Sequence, residues 1–183
     1  MPKKRMLVHI CCAPDALYVM DLLKEEYDLA GYFYNPNIHP EKEYALRLEE
    51  VRRVARTIGF ELIEAEYDKE NWLSTTQKFK DQPEKGLRCD ICYAVRLAKT
   101  ARQASELGFD AFTTVMSLSP LKKAAILNKI GRMFGQRFKI DFLEADFKKK
   151  NGFKKSVELS RQHGLYRQNY CGCVYSMRPK KNV

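Results

Sequence analysis

Six cysteines carry the first chemical signal in this chain: Cys11-Cys12, Cys89-Asp90-Ile91-Cys92 and Cys171-Gly172-Cys173. All lie in close pairs, and the pairs are far apart in sequence. Buried free cysteines behave as small apolar residues and scatter. A disulfide framework suits small secreted domains, not a chain of 183 residues expected to work in the cytosol. Neighbouring cysteines such as Cys11 and Cys12 bond to each other only with strain. The pattern therefore points to metal held by thiolates from three parts of the chain. A structural zinc takes four ligands, often as two CxxC pairs, and only Cys89–Cys92 has that spacing. An iron–sulfur cluster also takes four thiolates. Six minus four leaves two for a further ion, a redox dithiol or no metal role.

Other residues could complete such a site. Asp15 offers an oxygen ligand beside the first pair, or caps a helix. Cys89 and Cys92 share one helical face, where a helix N-terminus lowers thiol pKa values and favours an anionic cluster. A thioredoxin-like CxxC is the rival reading of that pair. Gly172 lets backbone come close to a ligand. The lysines at 148–150, 154 and 155, with Lys122 and Lys123, form either a solvated face or a phosphate grip. Near them Tyr166, Arg167 and Tyr170 could stack a base. His9, His39 and His163 have no metal-pair spacing. No GxxxxGK[ST] or GxGxxG loop is present, so ATP or NAD binding by those loops has no support.

The elements that must position these residues alternate. Strands are expected at 6–10, 29–34, 61–65, 111–116 and 138–145. Helices are expected at 16–27, 41–58, 69–80 and 90–107, from the loop at 117–120 through about 134, and around 157–162. Such alternation predicts an α/β fold with a parallel sheet. Ligands in these sheets bind beyond the carboxyl ends of the strands. Cys11, Cys12, Asn35, Ser117 and Asp146 all fall on that rim.

The composition agrees. With 45% hydrophobic and 31% charged residues, 9 Gly and 7 Pro, the chain is neither disordered nor collagen-like. Its length predicts one domain, 1–183. The formal charge of +10 favours a polyanionic partner such as nucleic acid. No run approaches the ~18 apolar residues of a membrane span, and a cytoplasmic protein without a membrane partner is expected. Spacing and composition alone lead to a cytosolic α/β metalloprotein with a nucleic-acid partner.

Longer motifs take the reading further. They are His9-Ile10-Cys11-Cys12-Ala13-Pro14, Phe33-Tyr34-Asn35-Pro36-Asn37-Ile38, Arg88-Cys89-Asp90-Ile91-Cys92, residues 113–120, residues 146–152, and 164–173 (GLYRQNYCGC). With them, nearly the whole chain resembles the epoxyqueuosine reductases of the QueH type. The resemblance implies a three-layer parallel-sheet domain like the nucleotide alpha-hydrolase-like (HUP) group, with a cysteine-rich metal site at the carboxyl ends of the strands. It implies a tRNA-modifying oxidoreductase that works without cobalamin. The substrate would be tRNA carrying epoxyqueuosine at the wobble position of the anticodon loop, and the product queuosine. The cofactors implied are a [4Fe–4S] cluster and an adjacent mononuclear iron, with electrons from an external donor.

On that resemblance the metal ligands are Cys11, Cys12, Asp15, Cys89, Cys92, Cys171 and Cys173. Cys89 and Cys92 are expected at the cluster with one cysteine from each other pair, the remaining two serving the lone iron. Cys11, Asp15 and Cys173 are the candidate catalytic groups. Tyr34, Asn35, Ser117, Lys149, Arg167 and Tyr170 are the candidate substrate contacts, and Tyr34, Tyr170 or Asp15 could supply a proton. The lone iron would act as a Lewis acid on the epoxide while the cluster relays electrons. Rival readings are a zinc-bearing RNA-binding module without redox activity, a tRNA-thiolating or nucleotide-activating enzyme, and a thiol–disulfide oxidoreductase.

Overall fold

A computed structural model describes residues 2–177. Five strands form one sheet in the order β3-β2-β1-β4-β5. They are β1 (Lys4–His9), β2 (Tyr27–Phe33), β3 (Glu61–Glu64), β4 (Ala111–Thr114) and β5 (Asp141–Phe142), and every pairing is parallel. The helices are α1 (Ala13–Leu23), α2 (Glu41–Ile58), α3 (Lys69–Thr76), α4 (Leu87–Glu106), α5 (Ala124–Phe138) and α6 (Gly152–Gln162). The expected α/β class with a parallel sheet is the observed one.

Alternation along β1 builds the three layers. Met6, Val8 and Ile10 pack with Leu17, Met20 and Val51 of α1 and α2, while Leu7 packs with Ala101 and Ala104 of α4. Successive strand side chains point to opposite faces, so a strand with helices on both sides is apolar throughout. The chain runs outward from β1 to β2 and β3, then crosses to β4 and β5 on the other side. The order reverses between β1 and β4, which opens a crevice at their carboxyl ends. Cys11 and Cys12 sit at that point.

Several boundaries differ from the sequence reading. α1 starts at Ala13, not 16, because Pro14 in a first turn needs no N–H partner. It ends at Leu23, and Tyr27 opens β2 instead. α4 starts at Leu87, so Cys89 and Cys92 lie in its first two turns. Phe138 closes α5, with Lys139 in the left-handed region, which leaves β5 only two residues of the strand expected over 138–145. α6 begins at Gly152, five residues before the expected stretch.

Candidate metal centre

The first ligand group forms where β1 turns into α1. Cys12 takes the N-cap position with extended backbone and makes no side-chain cap bond. Asp15 is therefore not the N-cap. It lies in the first turn of α1 and is 7% exposed. One ligand atom from each of Cys11, Cys12 and Asp15 lies within 4.8 Å of the other two. Among the described residues this is the one such group of three. The Cys11 thiol faces Asp15 Oδ2 at 4.0 Å.

The other thiols arrive on two further segments. α4 presents Cys89 and Cys92 from its N-terminus, and the Lys85 N–H donates to Cys89 Sγ at 3.3 Å. Cys171 and Cys173 lie on the loop after α6. Arg47 of α2 ties that loop down, donating to the carbonyls of Tyr170 (3.2 Å) and Cys171 (3.1 Å). The His39 N–H donates to the Gly172 carbonyl at 2.7 Å. Gly172 has φ +101°, and a Cβ there would lie 3.0 Å from Ile38 Cγ1 and 3.2 Å from Arg47 Nη1. Glycine suits both the turn and the close approach. Cys11, Cys89, Cys92, Cys171 and Cys173 together line one cavity, also lined by Asp15. Cys12 is buried beside it.

The electrostatics suit a bound cation. The close approach of the two thiols holds Cys11 below the ordinary thiol value and Cys12 above it. Burial and the neighbouring Cys11 raise Asp15 to about 7. Burial also raises Cys89 and Cys92, and pushes Cys173 up to about 12. Thiols this reluctant to ionise lose their protons when a metal takes the proton's place. Positive side chains stand ready around them. Burial opposes the Lys122 ammonium, yet Cys171 and Cys11 outweigh that and hold it above its usual value. Arg96, 1% exposed, is likewise penalised by burial and raised on balance by Cys92, Cys11 and Cys171.

The donors fall into two sets by spacing. Ligands to a single ion must crowd together, as Cys11, Cys12 and Asp15 do. Thiolates around a four-iron cluster bind separate irons and stand further apart. Cys89, Cys92, Cys171 and Cys173 share the cavity without any three meeting within 4.8 Å.

The expected substrate contacts separate into two sets. Arg167 and Tyr170 line the cavity. Tyr34, Asn35, Ser117 and Lys149 do not. Tyr34 packs in the core on the α4 side, its O–H donating to Asp68 at 3.3 Å. Asn35 is fully buried, donating to the Ile10 carbonyl (2.8 Å) and accepting from Arg96 (2.7 Å). Ser117 is buried, its hydroxyl accepting from the Phe147 N–H at 3.4 Å. Lys149 is exposed, away from the cavity lining. The Tyr170 O–H is itself taken by the His39 carbonyl. The lining also contains Arg47, Trp72, Tyr93 and Arg96, which sequence reasoning missed, and Arg88 and Gln168, which entered it only within longer motifs. For Arg96 a signal existed, since it follows Cys92 by four positions on a helix.

Known proteins share this chain's sequence pattern and its fold. The family model described as Epoxyqueuosine reductase QueH matches residues 6–179. A protein of that name from Histophilus somni is 38% identical over 176 residues, which cover 95% of this chain and 72% of the relative. One from Thermotoga maritima is 35% identical over 179 residues, covering 96% of this chain and 92% of the relative. Among solved structures, the U34-tRNA thiolase NcsA from Methanococcus maripaludis, with its [4Fe-4S] cluster, aligns with a TM-score of 0.64 at 15% identity. The alignment covers 97% of this chain and 63% of NcsA. A "predicted subunit of tRNA methyltransferase" from Methanocaldococcus jannaschii aligns with a TM-score of 0.58 at 14% identity, over 86% of this chain and 76% of that one. At such identities the likeness is one of fold. The sequence matches go further: the chain belongs to the epoxyqueuosine reductase QueH family.

Proposed function

We propose that the whole chain, 1–183, acts as one catalytic domain that reduces epoxyqueuosine in tRNA to queuosine. The observation that carries this reading is the convergence of five thiols, from three distant segments, on one cavity at the sheet's switch point. The overall change is the loss of the epoxide oxygen. Two electrons and two protons enter, both C–O bonds of the ring break, and an alkene and water leave. The electrons come from an external donor, and cobalamin is not required.

Cys89, Cys92, Cys171 and Cys173 would hold a [4Fe–4S] cluster, and Cys11, Cys12 and Asp15 a single iron. This division keeps Cys11 with Cys12 and Cys171 with Cys173, the two pairs that the sequence reading splits between cluster and lone iron. When bound, the iron groups would supply single-electron transfer and Lewis acidity at the epoxide. The chain's own residues position the nucleotide. Arg167 and Lys122 place positive charge at the cavity, suited to phosphate. Phe153 and Tyr93 offer aromatic faces for an unstacked base. Lys149, outside the lining, would meet the RNA backbone at longer range. A tRNA partner implies a cytoplasmic location, and among the described residues no helix is long and apolar enough to cross a membrane.

The test is iron, zinc and acid-labile sulfide on protein purified without oxygen, followed by turnover of epoxyqueuosine tRNA. About four sulfides with iron in excess of sulfide, and conversion on adding reductant, are expected. Colourless protein holding only zinc after anaerobic reconstitution would overturn the redox reading and favour the RNA-binding module.

A further inference from the structure

Trp72 is the chain's one tryptophan and is fully buried on α3, packed with Cys92 and Cys173. Its indole Nε1–H finds no hydrogen-bond acceptor among the described residues, and neither does Nε of Arg96. A buried donor without an acceptor costs about 1–3 kcal/mol. Two such donors beside one side chain imply an acceptor that the bare protein does not provide. That side chain is Cys92: Trp72 packs against it, and Arg96 lies one turn further along the same buried face of α4.

The rest of Arg96 is anchored. It stands four residues after Cys92 on α4, on the same face. Its Nη2 donates to Asn35 Oδ1 at 2.7 Å, and Asn35 Nδ2 donates to the Ile10 carbonyl at 2.8 Å. The guanidinium is thereby fixed to the end of β1, next to Cys11. A neutral thiol is a weak acceptor, whereas a thiolate accepts charge-assisted N–H bonds.

We propose that Trp72 and Arg96 are positioning residues acting through Cys92, donating to its thiolate and raising the reduction potential of the iron–sulfur group it would hold. The proposal rests on the iron–sulfur reading above. N–H donors and positive charge at a cluster sulfur favour the reduced, more negative state. Their concentration on Cys92 makes the buried α3–α4 side of the site the one that tunes electron acceptance.

The experiment is a redox titration of the reconstituted protein, followed by absorption and electron paramagnetic resonance, with iron and sulfide counted in parallel. Trp72→Phe keeps an aromatic ring and removes the N–H. It is expected to keep the full cluster while its one-electron reduction constant falls about tenfold, equivalent to about 59 mV. Arg96→Gln removes a charge as well and is expected to fall further, with Arg96→Lys recovering part of the loss. Should Arg96→Gln not fold, Trp72→Phe decides alone. An unchanged potential with a full cluster in Trp72→Phe overturns the proposal and leaves the iron–sulfur reading standing. Loss of the cluster in Trp72→Phe also overturns it, since a tuning residue does not hold the metal in place. A wild-type protein that assembles no cluster overturns the reading beneath, and the proposal with it.

Discussion

Two arginines on α2, five positions apart, do opposite work. Arg47 faces inward with 2% of its side chain exposed, bonds Glu43 at 2.7 Å and holds the carbonyls of Tyr170 and Cys171. Arg52 faces outward with 41% exposed and grips both oxygens of Glu64, each at 2.7 Å, with Glu49 at 3.2 Å. By ion-pair geometry Arg52 is the better placed. Burial reverses the ranking. Exposed pairs contribute about 0–1 kcal/mol, whereas removing one partner of a buried pair leaves charge and carbonyls stranded. The rim of the sheet repeats the Arg47 pattern: Arg88, 4% exposed, donates to the carbonyls of Lys80 and Gln82. Arg47 fixes the loop that carries Cys171 and Cys173, Arg88 the loop that leads into α4, and Arg52 only neighbouring surface carboxylates.

If the rim carries function and the outer face does not, substitutions should separate the two. The largest effect is expected from Cys92→Ser, with activity falling at least about a hundredfold and iron and sulfide lost together while far-ultraviolet circular dichroism stays unchanged. An active, fully loaded Cys92→Ser protein would remove this thiol from the site. Next comes stability. Arg47→Met should cost about 3 kcal/mol, lowering the melting temperature by about 10 °C, while Arg52→Met on the same helix costs under about 1 kcal/mol. Equal shifts for the two would break the comparison. Gly172→Ala, at φ +101°, should cost about 1–2 kcal/mol and weaken iron retention through the loop Arg47 holds. Chelator-challenge rates measure that second effect.

The same contrast explains what could be read from sequence. Strand–helix alternation and the paired thiols are local patterns, so the parallel sheet and the rim position of Cys11 and Cys12 were legible. Arg47 was not, because its partners lie 123 and 124 residues away on a loop whose course the chain order does not reveal. Asn35 was placed on the correct rim, but the contacts of its side chain were not legible there. Its amide is taken by Ile10 and Arg96, 25 and 61 residues distant, before any substrate arrives. The helix starts of α1 and α4 lie ahead of the first apolar periodicity, at Pro14 in the first turn of one and at the Gly86 N-cap of the other, where periodicity carries no signal. Trp72 gave no signal at all, since an isolated tryptophan reads as core until its N–H is seen without an acceptor.

The smallest expected effect is also the sharpest check on the outer face. The hydrogen bonds from Arg52 hold the Glu64 carboxyl below its ordinary range. A carboxyl depressed in the folded state stabilises the protein above its unfolded pKa of about 4.3, and that contribution is lost as pH falls through the folded value. Glu64 is 37% exposed, so screening keeps the gain under about 1 kcal/mol. Urea midpoints of wild type and Glu64→Gln should therefore differ slightly at pH 7 and converge once the pH falls below the folded value. At about 1 M salt, where the Debye length is about 3 Å, the pH 7 difference should shrink. Glu49, held low by Arg52 and Arg56, moves in the same direction and keeps part of the slope in the variant. A difference that survived both acid and salt would mean that Glu64 acts through packing, and the outer face of α2 would then join the rim as structure rather than as solvated charge.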